Sequence, residues 1–282
     1  MVDYLLEPAA ATAVAAVLGL IVGSFLNVVI HRLPRMLERG WHAQCAELRG
    51  EVPPAQPAYN LVVPRSACPA CGHRIGALEN VPVLSWLVLR GKCSACGTRI
   101  SARYPIVELI AGALAALAIA HFGPTWQGVA ACGLLWTLLA LTFIDLDTQL
   151  LPDDLTLPLL WAGLFVNLFG LFVPLPEALV GAIAGYVSLW SVYWAFKLIR
   201  GKEGMGYGDF KLLAALGAWM GWKALPAIVL LSSAVGAVIG IALVLIKRRD
   251  HQQPLPFGPY LAAAGMIVML SGDRLARWLV PI

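Results

Sequence analysis

The sequence is poor in charge. Asp, Glu, Lys and Arg together supply 13% of the 282 residues and hydrophobic residues 60%, whereas soluble globular chains carry about 25% charged residues. With a mean hydropathy of +0.78, that deficit excludes an ordinary soluble domain and points to an integral membrane protein. A strongly basic balance is also lacking: a net charge of +4 gives no support for a nucleic-acid partner. The N-terminus lacks the basic leading segment of a secretory signal and carries Asp3 and Glu7 instead, so its apolar run is expected to be a retained first span. The glycine fingerprint of a soluble dinucleotide fold, set between a strand and a helix, is missing too.

What the chain does have is a series of apolar runs long enough to cross a bilayer, which takes about 20 residues as a helix. They fall at 10–30, 104–121, 126–145, 155–173, 177–197, 210–222, 225–246 and 257–271, separated by breaks such as HFGPT, DLDTQLLPDD and RGKEGMGYG. The expected fold class is an all-α polytopic membrane protein of about eight transmembrane helices with a small cytoplasmic insertion between the first and second. The expected domains are a first transmembrane helix over 1–30, a cytoplasmic segment over 31–103 and a transmembrane domain over 104–282. An outward N-terminus puts all the Lys and Arg residues except Lys223, Arg274 and Arg277 on the cytoplasmic side, as the positive-inside bias requires. The small-xxx-small pairs Gly19/Gly23, Gly181/Gly185, Gly217/Gly221 and Gly236/Gly240 are sites where helices can approach closely.

The polar insertion carries CPACGHRI at 68–75 and CSACGTRI at 93–100. Cys68, Cys71, Cys93 and Cys96 thus form two CxxC hooks, the pattern of a tetrahedral Zn²⁺ site. Glycine after each second cysteine, Gly72 and Gly97, permits the positive φ that such a turn needs. A redox pair or disulfides compete with this reading, but cytosolic placement disfavours stable disulfides and the duplicated hook disfavours a single redox site. The metal is expected to be structural, because the segment has little apolar core of its own. His73 reads as a turn residue, and Cys45 and Cys132 read as space-filling thiols.

Two acids stand at the same expected depth, Asp145 at the end of the third run and Asp209 at the start of the sixth. Carboxylates at a membrane boundary mark function more often than packing, although Asp209 is also placed to cap a helix. Gly206 and Gly208 flank Tyr207 just before Asp209 and would let a peptide backbone approach it. Two carboxylates in one site hold a single proton between them. The ionised partner can then activate water while the protonated one donates to the scissile group. Asp147 is a weaker alternative to Asp145, and Asp153 and Asp154, in LPDD, read as helix caps.

The chain resembles the bacterial type IV prepilin peptidases, the leader peptidase/N-methyltransferases of the GxGD class of membrane aspartic proteases. The resemblance rests on GSFLNVVIHRLPR at 23–35, the paired CxxC hooks, SARYPIVELI at 101–110, IDLDTQLLPDDLT at 144–156 and GYGDFKLLAALGAW at 206–219. It implies that Asp145 and Asp209 are the catalytic pair. It further implies substrates that are type IV prepilins and type II secretion pseudopilins, cleaved at the cytoplasmic face of the bacterial inner membrane, within the lipid bilayer's boundary. The new N-terminus would then be methylated from S-adenosylmethionine.

The resemblance places methylation on the 31–103 segment and its membrane edges. There Glu108 is a candidate for handling the substrate amine, which must lose its proton before attacking a methyl sulfonium. Helix packing or pilin orientation is an equal reading for Glu108. The tryptophans read as interfacial anchors, His31-Arg32 as the polar exit of the first span and KRR at 247–249 as a stop at the inner leaflet. An ion-coupled transporter with a regulatory zinc domain, or a non-enzymatic assembly factor, are the competing classes. The acids' place at one face, away from the midplane, and the want of an inverted repeat weigh against transport.

Overall fold

The computed structural model describes residues 7–52, 57–201, 204–245 and 256–272. Asp3, Lys202, the KRR at 247–249, Arg274 and Arg277 lie outside the described residues. Among the described residues the protein is helical without a strand, and only the isolated antiparallel bridges Ala67–Arg74 and Lys92–Arg99 pair extended backbone. The helices are α1 (Pro8–Leu48), α2 (Leu84–Val88), α3 (Arg103–Phe122), α4 (Trp126–Thr148), α5 (Asp153–Leu168), α6 (Leu175–Arg200), α7 (Tyr207–Met220), α8 (Leu225–Leu245) and α9 (Gly258–Ser271).

A helix stands at each of the expected runs, but among the described residues five stretches are long and apolar enough to cross a membrane: α1, α3, α4, α6 and Trp222–Ala242, which takes in most of α8. The shortfall has a simple cause. At about 1.5 Å per residue, the 16 residues of α5 and the 14 of α7 and of α9 reach only about 24 and 21 Å, against a hydrocarbon core of about 30 Å.

α1 also departs from expectation. Its helix does not end at His31-Arg32 but runs on for 41 residues in all, through Pro34, to Leu48. The apolar-to-charged change marks where hydrophobicity ends, whereas Arg, Met, Leu, Glu and Ala beyond it are all good helix formers.

The chain divides into two compact units, residues 1–120 and 121–282. In the first, α1 meets α3 through glycine: a methyl group on Gly19 would stand 2.6 Å from the Ala111 carbonyl oxygen, and one on Gly23 2.6 Å from the Glu108 Cα. The Gly19/Gly23 pair is therefore a backbone contact surface, as its spacing implied.

In the second unit α7 is the hub. It packs on α5, α6, α8 and α9, and every side chain from Leu212 to Trp219 is buried. Gly181 and Gly185 of α6 lie directly on the α7 backbone at Gly217 and Leu213. Gly163 of α5 receives the Trp219 ring, whose Nε1 donates to the Leu159 carbonyl at 2.8 Å. Asn167 closes the same end: its amide nitrogen donates to the Ala218 and Trp219 carbonyls, and its oxygen accepts from the Phe172 and Val173 amides. Of the remaining glycine pairs, Gly221 ends α7 with φ of +76°, and Gly236 faces the Tyr260 ring.

Candidate active site and metal centre

Asp145 lies in the last turn of α4 and Asp209 in the first turn of α7, and both are buried, at 5% and 7% exposure. Asp147 of the same α4 turn is exposed. Helical geometry explains the contrast, since residues two apart on a helix face different ways. The two buried carboxylates are close enough to act on one another electrostatically. The N-cap of α7 is Gly206, which has no side chain to bond the helix start, and its backbone N–H faces the carboxylate of Asp209, three positions on. This is one half of the reciprocal arrangement found at capped helix starts, so Asp209 both closes its helix and faces Asp145.

The starts of the neighbouring elements are tied in place around the acids. Lys211 Nζ lies 2.7 Å from both carboxylate oxygens of Asp153, joining the N-terminal ends of α7 and α5. The expectation that Asp153 and Asp154 cap α5 is corrected here: Pro152 takes the N-cap position without a side-chain bond, and the two acids stand in the first helical turn. Acids there complement the helix dipole. Tyr193 of α6 stacks against Tyr207 and Phe210, with ring centroids at 5.2 and 5.7 Å, which fixes the angle at which α7 begins.

Leu151, in the loop after α4, fills the gap beside the acids. A methyl group on Gly208 would stand 2.7 Å from Leu151 Cβ, so the room left by that glycine is taken by leucine. Gly258, at the start of α9, approaches from another side, and its backbone N–H faces the Asp145 carboxylate. Asp145 Oδ2 is buried without a hydrogen-bond partner among the described residues. Sequence reasoning missed both Leu151 and Gly258. PFGPY is readable as a helix entry, but nothing in it names a partner more than a hundred positions upstream.

The four hook cysteines come together as their spacing implied: the sulfurs of Cys68, Cys71, Cys93 and Cys96 all lie within 4.8 Å of one another. Cys68 and Cys96 sulfurs are 3.8 Å apart, and those of Cys71 and Cys93 4.0 Å. A tetrahedral zinc with bonds of about 2.3 Å requires edges of about 3.8 Å, so this group fits Zn²⁺. The two hooks repeat one geometry. Gly72 and Gly97 adopt φ of +73° and +70°, and their N–H groups close back on the carbonyls of Cys68 and Cys93 at 2.9 and 3.0 Å. The Thr98 hydroxyl lies 3.2 Å from Cys96 Sγ, within hydrogen-bond reach of that thiol.

Glu79 joins the hooks. It accepts from the Gly76 amide at 2.8 Å, from the Ser94 hydroxyl of the second hook, and meets His73 Nε2, just after the first hook, at 3.1 Å. The Gly76 amide, then Ser94 and then His73, hold its carboxyl down at about 2. His73 is thus a tether to Glu79 and stands outside the sulfur cluster. No spacing rule singles out a glutamate midway between two hooks, which is why the sequence did not reveal it.

Glu108 is buried in α3, where Oε2 accepts the Val83 N–H at 2.8 Å and the carboxylate also meets Ser24. Val83 has φ of +60°, a costly conformation for a β-branched residue. Glu108 therefore holds a strained loop residue against α3.

Helical spans long enough for a membrane, a buried acid pair at helix ends and a four-cysteine cluster define a polytopic membrane protein with a candidate hydrolytic site. Comparison with known sequences carries this further. Residues 17–122 match the bacterial peptidase A24 N-terminal domain, and residues 132–241 match the type IV leader peptidase family. A prepilin leader peptidase/N-methyltransferase of Aeromonas salmonicida is 59% identical over 92% of this chain and 90% of its own. Proteins of the same description from Aeromonas hydrophila, 60% identical over 92% and 90%, and from Pseudomonas aeruginosa, 56% identical over 98% and 96%, are similar throughout. No solved structure matches the chain. The chain belongs to the type IV leader peptidase family, and is an enzyme of its peptidase and methyltransferase kind. The transporter alternative is not favoured by these relatives.

Proposed function

We propose that this enzyme cleaves the leader peptides of type IV prepilins and type II secretion pseudopilins with Asp145 and Asp209, then methylates the new N-terminus. The observation that supports the pair is the burial of two mutually interacting acids at helix ends, one of which has an oxygen, Asp145 Oδ2, with no hydrogen-bond partner among the described residues. Water held between them loses a proton to the ionised carboxylate as its oxygen bonds to the scissile carbonyl carbon, while the protonated carboxyl donates to the carbonyl oxygen. Collapse of that adduct breaks the C–N bond, and the leaving amine takes up the proton. Apolar packing around Phe210 and Ile144 keeps bulk water out, which strengthens these charge interactions.

The proposed setting is the bacterial inner membrane, with the acids facing the cytoplasm, an orientation supported by the distribution of Lys and Arg. The proposed division of labour follows the segments 1–30, 31–103 and 104–282. Cys68, Cys71, Cys93 and Cys96 would hold Zn²⁺ as a cross-link for the middle segment. S-adenosylmethionine supplies an electrophilic methyl group when bound. Among the described residues no strand, turn and helix unit forms a nucleotide cradle for it. Because its carboxylate is already engaged by Val83 and Ser24, Glu108 is read as anchoring its loop, with amine handling the alternative.

The test separates the two activities. Asp145→Asn and Asp209→Asn should each abolish shortening of a prepilin, while Asp147→Asn retains it. Asp209→Asn should still transfer labelled methyl from S-adenosylmethionine to a pilin supplied already cleaved. Substantial cleavage by either Asn variant sinks the pair, and a folded Asp209→Asn enzyme that transfers no methyl makes the two sites inseparable.

A further inference from the structure

Gly258 lies beyond residue 241, where the match to the type IV leader peptidase family ends, and the acid pair itself was legible without it. Yet it stands closer to the acid pair than Gly206, whose added methyl group would lie 3.9 Å from Asp209 Oδ2. A methyl group built on Gly258 would stand 2.6 Å from Asp145 Oδ2, 3.2 Å from Asp145 Cγ and 3.0 Å from Leu151 Cδ1. A contact of 2.6 Å between carbon and oxygen is well inside van der Waals separation, so something must move. Gly258 is not among the residues of positive φ. What the position demands is space, and the space it keeps is that of one carboxylate.

The position is also rigid. Pro259 follows at the start of α9, and Leu261 and Ala262 are fully buried, where α9 packs along α4, the helix that carries Asp145. Gly258 and its N–H therefore cannot retreat from Asp145 without unseating α9. The nearest of the atoms a methyl group would meet is Asp145 Oδ2, which ends a short side chain and shifts by rotation about two bonds. Leu151 completes the wedge, because the same side chain lies against Gly208, one residue before Asp209.

We propose that Gly258 is a positioning residue for leader cleavage: the start of α9 sets the Asp145 carboxylate toward Asp209, and the absent side chain at 258 reserves the space in which Oδ2 works. This deepens the acid-pair reading and rests on it. Displacing a catalytic group by about 1 Å costs on the order of 100-fold in rate, and productive geometry tolerates about 0.5 Å.

The experiment compares Gly258→Ala, Gly265→Ala and Asp145→Asn in the purified full-length enzyme. Gly265 lies on the same helix, and a methyl there would stand 2.7 Å from Leu216 Cδ2, an equally tight contact with no acid in it. Gly258→Ala should lower kcat for prepilin cleavage at least 10-fold with KM changed less than 3-fold, and should keep full methyl transfer to pre-cleaved pilin. Gly265→Ala should lower Tm but hold kcat within 3-fold. The double variant Gly258→Ala/Leu151→Ala relieves the contact with leucine and leaves the contact with Asp145, so its kcat should stay low. It also provides the reading if the single variant folds poorly. Cleavage by Gly258→Ala within 3-fold of the native rate, recovery in the double variant, or an equal kcat loss in Gly265→Ala overturns the proposal. Asp145→Asn tells the failures apart: if it cleaves, the acid pair has failed, and if it is inert beside an active Gly258→Ala, only the role of Gly258 has.

Discussion

Gly181 of α6 and Gly217 of α7 touch backbone to backbone, each occupying the space where the other's side chain would stand. Below them Gly185 continues the contact, with Leu213 O 2.6 Å from where a methyl group would lie. Close approach of this kind is how helices associate where lipid offers no hydrophobic drive. Because Asp209 is carried by α7, the contact also sets where one acid sits. Gly181→Leu should destabilise the protein by more than the 1–3 kcal/mol typical of overpacking, since backbone and not a side chain must give way. Thermal unfolding in detergent checks this against Gly40→Ala, a helical position with open space around it. A Tm for Gly181→Leu equal to that of Gly40→Ala contradicts the contact.

Metal content of the purified enzyme should be one zinc per chain, held by the four sulfurs that lie within 4.8 Å of one another. Serine at Cys68, Cys71, Cys93 or Cys96 should lower it alike, because the ligands act as a set. Removing zinc with a chelator should expose the segment around the hooks to protease first, as its fold has no strand and little buried apolar surface. A Cys93→Ser protein with full zinc occupancy overturns the assignment.

Glu79 gives a third expectation. Its carboxylate ties Gly76, His73 and Ser94 together across the two hooks, so Glu79→Gln should weaken zinc retention about tenfold, the lower end for groups that support metal ligands. A chelator-competition assay measures it, and retention equal to native would show the tether to be idle. The pH dependence has a definite sign. The folded group titrates at about 2, below its ordinary 4.5, so its contribution is present above pH 4.5 and is lost as pH falls through about 2. Measured on the metal-free proteins, the difference in thermal stability between native and Glu79→Gln should shrink along that course.

Much of the site was legible because its signals are local. The CxxC hooks with their following glycines specify a turn whose geometry recurs twice, at Gly72 and Gly97, with nearly equal φ. Asp145 and Asp209 stood out because a carboxylate at the edge of an apolar run is costly wherever the rest of the chain goes. Burial then separated Asp145 from Asp147, a distinction that helical phase implies only once the helix's partners are known.

Other features had no local signal. The end of α1 at Leu48 has no hydropathy signal, because hydropathy reports where a helix leaves an apolar solvent, while helix propensity decides where it stops. Asn167 sits in an apolar helix, and only the folded unit supplies the Ala218 and Trp219 carbonyls that satisfy it. Composition, hydropathy and the spacing of cysteines and acids determined by themselves that this is a helical membrane protein with a four-cysteine cluster and a pair of acids, since solvent, covalent geometry and charge act residue by residue. The tertiary structure alone decided that Gly258 and Leu151 close around Asp145, that Glu79 ties the hooks together, and that Glu108 holds Val83. Those contacts join residues far apart in the chain, and their energies exist only when packing brings the atoms within a few ångströms.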